Sequence, residues 1–322
     1  MFQFALLSKP DYSDQAFLDQ RMMQQAGRQA QWVGADDVLG VLSRLPKRPT
    51  PMILHIGHVG STLISRLLGA LPNVLAVREP QALRTVTLAW PGREDVDSLV
   101  SAGQLSQLTA ALMSLYARTY ADAETAILKA TSISSGIADD LLDLNGGAPA
   151  LALTVSAKTY LATIFGGPAS RQEVPMFAPF RRRMLTRFIP DDRTALHEMS
   201  EGELVAMSWL AGVLPLLNLP EGRVLQADFD AFLNDPTQCL VTYAKHLGLA
   251  ARASDCADVV AGPLMSRYSK ATEHSYTPTV RADVIADALR EHQVEIAKGL
   301  AWLETRATRY GPVRHALETL GT

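Results

Sequence analysis

The residues of this chain best suited to chemistry form a small polar turn at 57–62, Gly-His-Val-Gly-Ser-Thr. An apolar run at 52–56 precedes the turn and predicts a buried strand, and leucines at 63, 67 and 68 predict a helix after it. Glycines let a backbone fold around an oxyanion, the first N–H groups of the helix point at it, and the helix dipole favours negative charge. The turn therefore predicts a phosphate-binding protein, with an ordinary strand-to-helix turn as the alternative.

The turn differs from a nucleotide-hydrolysing P-loop in one important position. That loop has the pattern G-x-x-x-x-G-K-[ST], in which the lysine reaches the terminal phosphates and the hydroxyl binds magnesium. Aligned on Gly60, the first glycine of the pattern falls on His55 and the lysine on Ser61, so that only Thr62 fits. A phosphate site without this lysine favours group transfer from a nucleotide other than ATP.

The composition is that of a globular protein without a broad positive field. Of 322 residues, 48% are hydrophobic and 20% charged, and 30 basic against 33 acidic residues give a net charge of −3. We therefore expect no nucleic-acid partner. The N-terminus lacks the pattern of a signal peptide, and apolar stretches such as 210–217 are too short to span a membrane. These features predict a cytoplasmic protein with no membrane span. Cys239 and Cys256 form no C-x-x-C pair and are expected to be bystander thiols.

Short apolar strands alternate with helical patterns along the chain. We expect strands at 52–56, 74–77, 126–129, 150–155 and 223–227, and helices at 13–44, 96–121, 136–144, 201–217, 228–247 and 280–320. This alternation predicts an α/β fold, a three-layer parallel sheet covered by helices on both faces. The chain is expected to be a single domain of residues 1–322, with a helical N-terminal extension at 1–48, and a basic loop and C-terminal helices at 262–322. Ligands of such sheets bind beyond the carboxyl ends of the strands, where the glycine turn falls.

Several segments carry a resemblance to a known family. Residues 55–74, followed by Arg78-Glu79-Pro80, resemble the opening of the P-loop sulfotransferases, which has a glycine turn, a helix, a proline turn, a short strand and Glu-Pro. Residues 224–236, with Leu247-Gly-Leu249, are similar to a later stretch of that family containing Asp-Pro and Leu-Gly-Leu. Lys129 ends its strand where many members carry a lysine. The resemblance implies a sheet of the P-loop NTPase and sulfotransferase type.

The resemblance also implies a reaction. Members of the family transfer a sulfuryl group from 3′-phosphoadenosine 5′-phosphosulfate (PAPS), a co-substrate, to an acceptor hydroxyl or amine, and they use no metal. The donor-binding turn of the family corresponds here to Gly57, His58, Val59, Gly60, Ser61, Thr62 and Leu63. His58 stands where the family usually has arginine or lysine, and a histidine can also donate to an oxyanion.

The expected site for the 3′-phosphate of the donor departs from the family pattern. Members bind this phosphate with an arginine at the end of the fourth strand and a serine shortly after it, and Val155 and Thr163 take these positions here. We expect Lys158 to supply the cation and Thr163 the hydroxyl. Arg267 and Lys270, in a late basic loop, form a second candidate site for this phosphate, with a solvated loop as the alternative.

The acceptor must lose a proton as the sulfuryl group arrives, so a base is needed within hydrogen-bond reach. Glu79 is the first candidate, because it ends a strand and Pro80 restricts its backbone. His58 is the second candidate, and Lys129 is expected to neutralise charge on the donor. The alternatives are a Glu79 that pairs with a nearby arginine and a Lys129 that reaches to water.

The remaining candidates are weaker. His55 lies inside an apolar strand and is expected to be a core histidine, and His274 is a minor candidate for the base. The arginines at 181, 182, 183 and 187 are expected to form a solvated helix face, with attraction of an acidic acceptor as the alternative.

Two other function classes stay open. A kinase-like phosphotransferase would use Asp228, after the strand at 223–227, as a magnesium ligand. A non-catalytic scaffold would keep a degenerate P-loop fold without activity. The acceptor is expected to be a small molecule or a carrier-borne group, and its pocket to be built by the variable regions 80–120 and 165–220.

Overall fold

A parallel sheet and a small antiparallel sheet form the framework of the chain. The computed structural model describes residues 1–24, 29–42, 44, 46, 48–267 and 277–321. Over these residues the strands are β1 (Phe2–Ala5), β2 (Ala30–Val33), β3 (Met52–His55), β4 (Val74–Arg78), β5 (Thr125–Lys129), β6 (Ala150–Thr154) and β7 (Val224–Asp228).

Helices surround the sheet and form most of the C-terminal region. They are α1 (Lys9–Asp14), α2 (Gln20–Met23), α3 (Ala35–Leu42), α4 (Ser61–Gly69), α5 (Gln81–Ala89), α6 (Ala102–Tyr116), α7 (Ala138–Leu144), α8 (Ala157–Phe165), α9 (Pro168–Leu185), α10 (Glu201–Leu217), α11 (Phe229–Asn234), α12 (Pro236–His246), α13 (Ala253–Ala261), α14 (Pro278–Glu291), α15 (Gln293–Arg309) and α16 (Gly311–Leu320). In the part of the chain that the structure describes, none of them is long and apolar enough to cross a membrane.

The five strands β3 to β7 form a parallel sheet in the order β4-β5-β3-β6-β7. The chain moves from β3 past β5 to β4, returns to β5, and then continues on the other side of β3 with β6. The strand order therefore reverses at β3, and the crevice beyond its carboxyl end is the place where such sheets bind ligands. The predicted α/β fold with a parallel sheet is confirmed.

The sheet is buried on both faces, as continuous apolar strands require. Met52, Ile53 and Leu54 of β3 have no exposed surface. On one face lies α4, and on the other α10 approaches so closely that a Cβ added at Gly212 would stand 2.8 Å from Ile56 Cγ2. This packing holds the start of the glycine turn rigidly in place.

The N-terminal extension is not wholly helical. The prediction of a helix over 13–44 is wrong at 30–33, because β2 pairs antiparallel with β1, and Phe2 lies opposite Val33. The described residues of the extension also form short helices at Lys9–Asp14, Gln20–Met23 and Ala35–Leu42. A strand that pairs with a segment about 30 residues away leaves no mark in its own short sequence pattern.

Other predicted helices are shorter or divided. The helix expected at 96–121 covers Ala102–Tyr116, because Ser101 and Gln104 form a capping box at its start. The helix expected at 228–247 is two helices, since Asp235 caps a new helix whose first residue is Pro236. The predicted helix at 201–217 is confirmed as Glu201–Leu217.

Candidate functional site

The glycine turn lies at the carboxyl end of β3 and has the backbone of an anion-binding loop. Gly57, His58 and Gly60 have φ values of 85°, 57° and 63°, all in the left-handed region. Left-handed residues between right-handed ones turn successive N–H groups toward a common point, which makes a concavity for an anion. Non-glycine residues rarely take this conformation, so His58 is held there by its surroundings.

Gly60 is required both by conformation and by space. It is the N-cap of α4, and a Cβ added to it would stand 1.9 Å from Cε2 of Phe229. Because glycine has no side chain, no cap covers the first N–H groups of α4, and these groups point into the crevice. Ser61 and Thr62, the first two residues of the helix, line the same crevice.

His55 anchors the turn to the sheet. Its Nδ1 accepts a hydrogen bond from the Gly57 N–H at 3.0 Å, and its Nε2 lies 2.9 Å from the carbonyl oxygen of Ala130. A nitrogen that accepts carries no proton, so these contacts select the neutral tautomer with the proton on Nε2, which donates to Ala130. The prediction of a buried, hydrogen-bonded histidine agrees with this geometry, and His55 also forms part of the crevice wall.

Glu79 and Lys129 form a part-buried ion pair beside the turn. Parallel pairing places Arg78 of β4 opposite Lys129 of β5, and the Glu79 N–H donates to the Lys129 carbonyl oxygen at 2.8 Å. The Lys129 ammonium then contacts the Glu79 carboxylate, and the lysine side chain has no exposed surface. Glu79 Oε1 also lies 3.8 Å from His55 Nε2.

Glu79 has an unusual backbone. Its φ is +46°, in the left-handed region, although it is not a glycine. This conformation costs roughly 1 kcal/mol or more and persists only where the surroundings impose it. The strain directs the carboxylate into the crevice, and such strain is typical of functional positions.

The turn and the ion pair share one cleft of about 580 Å³. The residues predicted from the sequence that line it are Gly57, His58, Val59, Gly60, Ser61, Thr62, Leu63, Glu79, Lys129, Thr163 and Arg267. The three predicted catalytic residues, Glu79, His58 and Lys129, therefore share one cleft with the glycine turn. Thr163 lies on α8, where its hydroxyl donates to the Thr159 carbonyl oxygen at 2.7 Å.

The expected cation at Lys158 is not in this cleft. Lys158 is exposed and is not among the lining residues, while Val155 is fully buried beneath Trp209, whose Nε1 donates to the Val155 carbonyl oxygen at 3.0 Å. The chain's own C-terminal region lies against the start of α8, where the Ala157 N–H donates to the Gly321 carbonyl oxygen at 3.3 Å. Lys270 and His274 lie outside the described residues.

Three arginines in the cleft wall were missed by sequence reasoning. Arg21 of α2 and Arg84 of α5 line one part of the cleft. Arg281 lies near the start of α14, which packs on α8. No local pattern distinguishes them from other surface arginines, because their roles depend on how distant helices meet.

Arg281 is the most informative of these residues. Its guanidinium carbon lies 5.2 Å from the centre of the Phe229 ring, and its Nη1 lies 2.7 Å from Asp230 Oδ1. Its Nη2 is buried and has no hydrogen-bond partner among the described residues. A buried donor without a partner is costly, and because other parts of the Arg281 side chain line the cleft, a small movement of the guanidinium toward an anion there would give this donor a partner.

Other predicted charged residues have structural partners. Arg182, Arg183 and Arg187 pair with Asp192, Asp95 and Asp139, respectively, and Arg181 donates to the Val174 carbonyl oxygen at 3.2 Å. The Asp228 carboxylate caps α11 by accepting from the Ala231 N–H at 2.8 Å. Over the residues described, no group of three or more histidine, cysteine, aspartate and glutamate side chains is arranged to hold a metal ion.

Comparison with known proteins finds similarity at the level of structure. No family model and no curated protein matches the chain. Among solved structures, a sulfotransferase domain from the curacin biosynthetic pathway is 13% identical, with a TM-score of 0.45 over 80% of this chain and 99% of that one. A sulfotransferase from Alicyclobacillus acidocaldarius is 16% identical, with a TM-score of 0.40 over 80% and 95% of the two chains. Mouse sulfotransferase SULT7A1, complexed with PAP, is 12% identical, with a TM-score of 0.44 over 88% and 94%. These structural neighbours are all sulfotransferases, the family that the sequence resembles.

Proposed function

We propose that the chain is a sulfotransferase that transfers a sulfuryl group from PAPS to a hydroxyl or amine acceptor. The observation that carries the proposal is the shared cleft. It combines a glycine turn that lacks the ATPase lysine with the part-buried pair Glu79–Lys129. This arrangement offers a site for phosphosulfate and, beside it, a carboxylate and an ammonium for the transfer step.

The donor's phosphosulfate would bind at the turn. The N–H groups at the start of α4 and the hydroxyls of Ser61 and Thr62 are the donors available for its oxygens. Arg281 of α14 and Arg267 both line the cleft and offer two positive charges for the 3′-phosphate, and Thr163 of α8 lies in the same wall, with its hydroxyl proton donated to the Thr159 carbonyl oxygen. Arg281 thus replaces, from another element, the cation that the family pattern places at Val155.

The chemistry follows from these positions. The acceptor oxygen attacks the sulfur atom, the bond between sulfur and the bridging oxygen of the donor breaks, and 3′-phosphoadenosine 5′-phosphate (PAP) leaves. The acceptor proton passes to the Glu79 carboxylate, with His58 as the second candidate. Lys129 stabilises negative charge that develops on the transferred group and on the departing phosphate.

The side of the cleft proposed for the acceptor is lined by side chains of both positive and negative charge. Arg21 and Arg84 are accompanied by Asp19 and by Glu173, which lies 4.0 Å from Arg84. A small molecule or a carrier-borne group would enter here. This acceptor class, the use of no metal and the cytoplasmic location stay predictions.

The two other function classes have less support. A kinase-like enzyme needs a magnesium ligand beside the turn, but Asp228 is not among the residues that line the cleft, and its Oδ1 accepts the helix-capping hydrogen bond. In a degenerate scaffold, side chains would be expected to fill the turn. Here the turn opens into a cleft that is lined by several arginine and lysine side chains.

A thermal-shift measurement with PAP tests the proposal. A ligand that binds only the native state raises the melting temperature, by about 2.7 kcal/mol of added stability at 100 times its dissociation constant. We expect 1 mM PAP to raise the melting temperature and ATP with magnesium to have a smaller effect. No shift with PAP, or a larger one with magnesium ATP, would contradict the proposal.

Variants of two basic residues, one in the cleft and one outside it, test where the 3′-phosphate binds. Arg281→Ala should weaken PAP binding roughly 10- to 100-fold, because a hydrogen bond to a charged group contributes about 1.5–3 kcal/mol. Lys158→Ala is the control, since Lys158 is exposed and outside the cleft. Calorimetric titration of both variants decides between the two positions, and a larger loss at Lys158 would overturn the assignment to Arg281.

A second matched pair tests the turn. Ser61 lines the cleft, whereas Ser65, one turn further along α4, is buried, and its hydroxyl has no hydrogen-bond partner among the described residues. Ser61→Ala should weaken PAP binding, and Ser65→Ala should leave it unchanged. Equal affinities for the two variants would show that the Ser61 hydroxyl does not bind the donor.

A further inference from the structure

Phe17, a phenylalanine of the N-terminal extension, lies in the wall of the cleft. Its ring centre is 5.6 Å from the Lys129 ammonium and 4.2 Å from the guanidinium carbon of Arg21. Both distances are within the range in which a cation is attracted by an aromatic face. This residue, Phe17, is only half-buried, so the core packing of the sheet does not account for its position.

The segment that carries Phe17 is fastened to the end of β4. The buried guanidinium of Arg78 donates to the Gln15 carbonyl oxygen from Nε at 3.1 Å, and also to the carbonyl oxygen of Tyr12. The main chain is joined as well. The Leu18 N–H donates to the Arg78 carbonyl oxygen at 2.8 Å, and the Gln81 N–H donates to the Leu18 carbonyl oxygen at 3.0 Å.

These hydrogen bonds place the segment around Glu79. Arg78 precedes Glu79 and Gln81 follows it by two residues, so both sides of the strained glutamate are tied to Leu18. A second arginine, Arg66, strengthens the attachment by donating to the carbonyl oxygens of Ser13 and Asp14 at 2.9 and 3.0 Å. The position of Phe17 is therefore determined by the same residues that hold the carboxylate of the ion pair.

We propose that Phe17 is a positioning residue of the active site, which shields the Lys129 ammonium from water and holds it against Glu79. The proposal rests on the function proposed above. The two charges of an ion pair attract each other more strongly where water is excluded. An aromatic face can cover a cation without replacing the carboxylate that accepts the cation's hydrogen bond. The N-terminal extension is then a structural part of the catalytic site.

The reactivity of Lys129 toward an amine-acylating reagent measures this shielding. Acetic anhydride is added to the full-length protein across a series of pH values, and peptide mass spectrometry compares acetylation of Lys129 with that of exposed Lys158. In the parent protein Lys129 should react slowly. Phe17→Ala should raise the ratio at least tenfold across the pH series, whereas Phe17→Tyr, which keeps the aromatic face, should restore protection.

The control is an aromatic residue in a comparable setting elsewhere. Phe188 is also half-buried and lies 4.6 Å from the guanidinium carbon of Arg187, outside the cleft. Phe188→Ala should leave the Lys129 ratio unchanged. A ratio within twofold of the parent value in Phe17→Ala, or an equal increase in Phe188→Ala, would overturn the proposal. The assay needs neither donor nor acceptor, so its failure is distinct from a failure of PAP to bind.

Discussion

Replacing Gly60 by alanine is the sharpest perturbation of the phosphate turn. The new Cβ would stand 1.9 Å from Cε2, 2.1 Å from Cζ and 2.3 Å from Cδ2 of Phe229. The ring must move by roughly 1.5 Å to regain ordinary van der Waals contact. It has little space to do so, because it is buried and stacks on Phe232 with the ring centres 5.9 Å apart.

The expected loss of stability has two parts. Alanine at a φ of +63° costs about 1–2 kcal/mol. Overpacking against a buried ring adds about 1–3 kcal/mol. Gly60→Ala should therefore lower the free energy of unfolding by about 2–5 kcal/mol. It should also weaken PAP binding at least tenfold, because the displaced ring lies between the turn and Arg281.

The variant Gly146→Ala separates the conformational cost from the cost of overpacking. Gly146 has a nearly identical φ of +65°, but the nearest atom to an added Cβ is Pro49 Cγ at 3.7 Å, an ordinary contact. This variant should lose only the conformational part, about 1–2 kcal/mol, and should bind PAP normally. Urea unfolding and calorimetric titration compare the two variants. Equal losses of stability with unchanged binding in Gly60→Ala would refute the close contact between Phe229 and the turn.

Two further predictions concern charged groups. Glu79→Gln should lower the free energy of unfolding by about 2–4 kcal/mol, because it leaves the Lys129 ammonium buried without its carboxylate. The double variant Glu79→Gln/Lys129→Met should recover most of this loss in urea unfolding; additive losses would contradict the coupling. Burial raises the pKa of Asp192, but hydrogen bonds from Arg306 and Thr194 outweigh it and lower the pKa to about 2. This carboxylate therefore stabilises the fold above about pH 4, and the contribution is lost as the pH falls toward 2. Asp192→Asn should cost about 1–2 kcal/mol at pH 7 and less at pH 3, and an equal cost at both pH values would argue against an ionised Asp192.

Local sequence patterns were sufficient for the turn and the sheet that holds it. The strand, glycine turn and helix at 52–69 are contiguous, and their backbone is determined by neighbouring residues, so the pattern was sufficient to predict this element. The helix Glu201–Leu217 was predicted to the residue from its apolar run, and in the structure Ser200 and Glu203 form a capping box at its start. Apolar runs likewise identified each strand of the parallel sheet within a residue or two.

The sequence by itself determined the strand, glycine turn and helix at 52–69, and the tertiary structure decided which distant residues line the cleft beside them. Glu79 and Lys129 were separate candidates 50 positions apart, and only the pairing of β4 with β5 brings their charges into contact. Arg281 reaches the cleft because α14 packs on α8, whereas Lys158, which we expected to replace the arginine missing at Val155, remains outside it. Phe17 arrives from an extension whose attachment to β4 no local pattern reveals. A pattern reports the backbone of its own segment, but the convergence of distant side chains depends on strand register and helix packing, which involve residues far apart in the chain.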